Sequence, residues 1–169
     1  CADALQRGVS RLMICEDDVE LPPQVEQEVA RIERYLSHTH GQWDVFAGLI
    51  AHLDPQATVL AVEDFEGQTF VTLDRMTSMV CNWYSASGMA MLADWDETNH
   101  DANTTTIDRY LETQPGLRVV TTLQPLFGHR EELSSSLWGF NNSQYADMIR
   151  ASNAMLATKV QAFLAAASN

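Results

Sequence analysis

Residues Leu12–Leu21 read LMICEDDVEL: an apolar run ends in three consecutive acids, Glu16, Asp17 and Asp18, and the chain turns apolar again at Val19. Neighbouring carboxylates repel one another, and an acid that closes a buried strand loses hydration unless something compensates it. Arg11 to Cys15 reads as a short apolar strand, which puts the acids at its carboxyl end. In α/β sheets ligands bind beyond the carboxyl ends of strands. Side chains two apart on an extended segment point the same way, so Glu16 and Asp18 can converge on one hard cation. The alternative is a solvated acidic turn.

Working outward, Ala2 to Gly8 reads as the last turns of a helix, with Gly8 as its stop signal. Pro22 and Pro23 suit the first turn of a helix in which Val25, Val29, Ile32 and Leu36 recur at helical spacing as far as Ser37. WDVFAGLI, Trp43 to Ile50, is a second buried strand. Thr58 to Val62 and Thr69 to Leu73 form a hairpin around Glu66-Gly67. MVCNWYS, Met79 to Ser85, is a further strand, followed by a short apolar helix from Gly88 to Trp95. A polar loop, DWDETNHDANTT, leads to a helical turn around Ile107 to Leu111 and a strand from Leu117 to Thr122. Gln124 to Ser143 lacks periodicity and reads as an ordered loop. From Gln144 to about residue 167, Tyr145, Met148, Ile149, Leu156, Val160, Phe163 and Leu164 line one face of a long helix. Helices alternating with short buried strands predict one α/β domain over residues 1–169.

Ten Lys and Arg against twenty-three Asp and Glu leave a net charge of −13, and the pI is near 4.5. Such a surface repels phosphate backbones and anionic lipid, which argues against nucleic-acid or membrane-surface binding. A polyanionic ligand would need a metal ion or a local arginine cluster. No apolar stretch approaches the ~20 residues of a bilayer span, and no signal peptide is visible. Cys1, Cys15 and Cys81 show no CxxC spacing and no disulfide framework; Cys15 and Cys81 are expected as buried free thiols in a reducing cytoplasm. GxGxxG, P-loop, GxSxG and HExxH signatures are absent.

RLMICEDDVEL resembles the segment around the acidic motif of glycosyltransferase family 25, the lipopolysaccharide and collagen galactosyltransferase-like enzymes. WDVFAGL, TSMVCNWYSASGMAML with Ser85 three positions before Gly88, TTTIDRYL with Asp108, and LRVVTTLQPLFGH followed by Ser134 to Ser136 resemble later blocks of that family, in its order. The resemblance spans roughly residues 3 to 138. Asn82 replaces the usual aromatic six residues before the glycine, Met89 replaces the small residue after it, and the family's opening donor-binding segment has no counterpart.

The resemblance implies a GT-A-like mixed sheet flanked by helices, lacking its first βαβ segment, and transfer of a hexose from a nucleotide-diphosphate sugar to a glycan or glycoconjugate hydroxyl. Glu16 and Asp18 would hold Mn²⁺ or Mg²⁺ in a DxD-like motif, and Asp17 would orient the donor. Asp108 would be the acceptor-binding carboxylate or general base; on sequence alone it is equally an exposed helical acid. His129 stands where a third metal ligand would come from, though a lone loop histidine is commonly just solvated. Arg130 could pair with a diphosphate oxygen or lie at the surface. Trp95 and Trp138, both in loops, are the candidates for stacking on sugar, whereas Trp43 and Trp83 belong to the core. His38 and His40 are an idle HxH, and Asp94 to Asp101 is rejected as an EF-hand but lies near the acceptor side.

If the strands are parallel, their carboxyl ends share an edge and bring these motifs together. Asp18 and His129 are then expected roughly 4–5 Å apart across a metal ion. Two other classes remain open: a non-catalytic binding or scaffold domain with this fold, and a metal-dependent phosphoryl hydrolase, which needs more acids and histidines than this chain places well.

Overall fold

The computed structural model describes residues 1–96, 98, 101, 104–133 and 141–168. Its centre is a six-stranded sheet built from β1 (Arg11–Cys15), β3 (Val45–Ala47), β4 (Val59–Phe65), β5 (Gln68–Leu73), β6 (Cys81–Ser85) and β7 (Val119–Thr122), in the order β1-β6-β3-β7-β5-β4. β2 (Val19–Glu20) and β8 (Gly128–His129) make a separate two-stranded ladder. The helices are α1 (Ala2–Gln6), α2 (Val25–His38), α3 (Ala86–Ala93), α4 (Ile107–Glu112) and α5 (Ala146–Ala167).

Side chains alternate across the sheet with period two, so each strand feeds two cores. Phe46, Phe70, Cys81, Trp83 and Val120 pack with Ile32, Tyr35 and Leu36 of α2 and with Trp43 and Phe127. Val45, Ala47, Val71, Tyr84 and Val119 pack on the other face with Met89 and Leu92 of α3, Leu111 of α4, and Leu156 and Val160 of α5. Trp43 and Trp83 are core residues, as their strand context predicts. Leu164 departs from the predicted apolar face: it is 48% exposed, while the polar Ser152 is buried, its hydroxyl accepting from Leu53 N at 3.0 Å.

The sheet is mixed but mostly antiparallel: among the described residues only β3 and β7 pair in parallel. The expectation of a shared edge therefore holds for a different reason. β6 runs antiparallel to both β1 and β3 and lies between them, so β1, β3 and β7 point the same way. Their carboxyl ends share one edge, where Glu16 to Asp18 and the segment after Thr122 emerge. The carboxyl end of β6, with Ser85 and Gly88, opens on the opposite edge.

Two segments differ from their sequence reading. The strand predicted over Trp43 to Ile50 narrows to β3, though Leu49 and Ile50 stay buried beyond it. Part of the predicted loop 124–143 pairs as β8 with β2, two residues each, too short to leave a periodic signal. Among the described residues no helix is long and apolar enough to cross a membrane.

Candidate functional site

The acid cluster forms because β1 ends abruptly. The last β1–β6 rung is Glu16 N donating to Val80 O at 2.9 Å, after which Val19 N bonds back to Glu16 O at 3.4 Å and turns the chain into β2. β2 then pairs Val19 with His129 of β8, and Arg130 N donates to Asp18 O at 2.8 Å. That ladder carries His129 across more than a hundred residues of chain to the acids. His129 Nε2 lies 3.3 Å from Asp18 Oδ2; the side chains are only 7% and 21% exposed. Asn142 Nδ2 donates to the same carboxylate oxygen at 2.8 Å.

This contact is direct and closer than the metal-bridged separation expected from sequence. It leaves the outer atoms of both groups unmet: Asp18 Oδ1 and His129 Nδ1 are buried with no hydrogen-bond partner. Such orphans are costly and mark places where a further ligand atom or ion would be accepted. The His129 ring stands edge-on to Tyr145, centroids 5.7 Å apart.

Glu16 and Asp108 share this edge electrostatically. Glu16, though exposed as a residue, is pushed up to about 7, by partial desolvation of its carboxyl first and then by repulsion from Asp18, Asp108 and Asp17. Burial raises Tyr84 to about 12, the amide of Asn82 partly opposing, with Glu16, Cys81 and Asp108 adding to the rise. Tyr145 is raised by burial and then by Glu16, Asp18 and Asp108. Asp108 occupies the first turn of α4, where its Oδ1 accepts from Arg109 N at 2.8 Å. Its charge lies close enough to Glu16 to help raise that carboxyl.

The remaining candidates separate. Asp17 lies exposed in the turn. Arg130 directs its guanidinium to Glu132 at 2.9 Å, the surface alternative, and reaches the site only through its backbone. Trp95 is half-buried rather than open, with Nε1 buried and unpartnered. Trp138, Ser134 to Ser136 and much of the loop from Asp94 to Asp101 lie outside the described residues. His38 and His40 are exposed, ring centroids 6.4 Å apart.

Asn142 was not singled out from sequence, and Asn82 only as a departure from the family's aromatic. Asn82 is fully buried on β6; its amide donates to Ser78 O at 2.7 Å and Tyr84 OH at 3.0 Å, and its Oδ1 has no partner. A polar residue inside the strand-like run MVCNWYS was the one available signal. Asn142 had none, because its loop carries no pattern.

Among the described residues no group of three or more His, Cys, Asp or Glu converges closely enough to hold a metal as arranged. Asp18 and His129 are in direct contact, and the Asp18 charge is among those that raise Glu16. Comparison with protein-family models, with curated proteins and with solved structures returns no match for this chain.

The raised Glu16 has a sign that can be measured. Because its folded pKa lies above the ordinary carboxyl value, folding favours the protonated form, and stability falls as pH rises from about 4.5 through 7. An enclosed group would lose ~3 kcal/mol over that window; solvent access to this carboxyl reduces the expectation to about 1–2 kcal/mol. Glu16→Gln should remove that part of the slope and be the more stable protein at pH 8, as read from urea denaturation at several pH values. Parallel pH profiles for the two proteins would show that Glu16 is simply solvated.

Proposed function

We propose that this chain forms the acid-bearing part of a GT-A-like domain in a metal-dependent glycosyltransferase of the family 25 type. It would move a hexose, galactose or glucose, from a nucleotide-diphosphate donor to a hydroxyl of a glycan or glycoconjugate, in a cytoplasmic setting. One observation carries the reading. Asp18 and His129, far apart in the chain, meet at the sheet edge with Oδ1 and Nδ1 buried and without partners, and Asp108 lies close enough to add to the repulsion on Glu16.

The donor set fits a hard divalent cation: carboxylate oxygens of Glu16 and Asp18 and one imidazole nitrogen of His129 would hold Mn²⁺ or Mg²⁺. Bound there, the ion supplies positive charge to the departing diphosphate, which a protein of charge −13 otherwise lacks. Asp108 takes the proton of the acceptor hydroxyl. Asp17, exposed at the turn, would orient the donor, and Trp95, half-buried, would offer only part of its ring to a sugar. Arg130 stays with Glu132 until a diphosphate competes for it.

A non-catalytic binding domain is the second reading, favoured by one feature. Asp18, His129 and Asn142 already satisfy one another in part without any ion.

Calorimetric titration with Mn²⁺ separates the two. Wild type should bind, while Asp18→Asn and Glu16→Gln, both retaining the fold by circular dichroism, should bind at least ~10-fold more weakly. Identical weak titrations in all three proteins would end the transferase reading.

A further inference from the structure

We propose that Cys15 and Cys81 are a redox modification site, closing reversibly into a cross-strand disulfide immediately behind the acid cluster. The pairing is dictated by register. Cys15 of β1 stands opposite Cys81 of β6. Cys81 turns its carbonyl to the other neighbour, β3, accepting from Gly48 N at 2.8 Å, while the adjoining rung, Glu16 to Val80, carries the β1–β6 bond. Cys15 and Cys81 are therefore a non-hydrogen-bonded antiparallel pair, the kind whose Cα atoms lie about 4.5 Å apart. That falls inside the ~4.4–6.8 Å that disulfides span. Both side chains turn to the α2 face and their sulfurs meet at 2.9 Å as free thiols. Cys1 packs with the opposite core and does not compete.

The surroundings set the order of events. Cys15 is half-buried and Cys81 fully buried, with burial, then Cys15 itself, raising the Cys81 thiol. A buried pair of this kind is better accommodated as an uncharged disulfide than as a thiolate. With a low-molecular-weight disulfide such as oxidised glutathione, the Cys15 thiolate attacks one glutathione sulfur and releases the other as a thiolate. Cys81 then gives its proton to that thiolate and attacks the Cys15 sulfur, forming the Cys15–Cys81 bond and expelling the second glutathione as thiolate. Two protein thiols are oxidised and one glutathione disulfide is reduced to two thiols. Because β1 is an edge strand held to the sheet only through β6, the bond would clamp the strand that ends in Glu16.

The test treats the folded full chain, in a Cys1→Ser background, with oxidised glutathione, then alkylates remaining thiols after denaturation and maps peptides by mass spectrometry. The expected product joins Cys15 to Cys81, leaves neither alkylatable, and melts on the order of 10 °C higher until dithiothreitol is added. Cys81→Ala should stop at a glutathione adduct on Cys15 with no such rise. Cys15→Ser, at the more exposed partner, should leave Cys81 reduced and supplies the control if the buried substitution fails to fold. Two thiols that stay alkylatable, an adduct on Cys15 that never resolves in the parent chain, or a bond between two chains would each overturn the proposal. None of these outcomes depends on metal or sugar binding.

Discussion

Removing the chain beyond Gln144 should abolish cooperative unfolding and drive the remainder into aggregates. The deletion takes away α5, whose Leu156 and Val160 are each 3% exposed and whose Met155 and Phe163 pack against the same core. Burial of one aliphatic side chain of that size is worth about 1.5–3 kcal/mol, so the helix contributes about 5 kcal/mol or more. A domain holds only about 5–15 kcal/mol in total. Polar ties go with it: Ser152 Oγ accepts from Leu53 N and donates to Ala51 O at 3.2 Å, and Lys159 Nζ donates to Pro55 O at 2.7 Å. The truncated protein would expose Ile50, Leu53, Ala57 and Val59 as one apolar patch, a surface that seeks partners. Thermal melts and size-exclusion chromatography read both effects. A truncated protein that remains monomeric with an unchanged transition would mean that α5 is an appendage.

Gly88→Ala should cost about 3 kcal/mol or more in chemical denaturation, although helix propensity alone would make alanine ~1 kcal/mol the better residue inside α3. The added Cβ would fall well inside contact distance of the Asp44 carbonyl oxygen and 2.9 Å from the carbonyl carbon. That backbone cannot move aside. Asp44 O accepts from Ser85 N at 2.9 Å, its N–H donates to Arg118 O at 2.9 Å, and its buried carboxylate accepts from Arg118 N at 2.9 Å and from the Ser87 hydroxyl. Asp44 thus ties the starts of β3, β7 and α3 together on the sheet edge opposite the acids. A substitution that left stability unchanged, or raised it, would show that β3 and α3 can slide apart, and that the close approach is not needed.

The individual elements were largely legible. Arg11 to Cys15, the hairpin of Thr58 to Val62 with Thr69 to Leu73, the helix after Pro23 and the long helix after Gln144 all carry period-two or period-3.6 patterns, because each buries one face against a layer of fixed geometry. The acids were visible as a cluster because charge at the end of an apolar run is locally anomalous. The glycine at 88, three residues after a serine, was visible as a motif, but its physical reason was not. That reason is a backbone contact with Asp44, forty-four positions earlier in the chain.

What only the tertiary structure decided is which edge each motif occupies and what each polar atom meets there. Strand direction depends on pairing partners, and pairing is a long-range choice that local pattern does not encode. Inserting β6 antiparallel between β1 and β3 keeps Glu16 to Asp18 and the segment after β7 on one edge and sends Ser85 and Gly88 to the other. The sequence by itself determined that three carboxylates would crowd the mouth of a core. The two-residue ladder of β2 and β8 decided that Asp18 would find His129 and Asn142 there, because only a fold can bring a histidine across that length of chain to a specific oxygen.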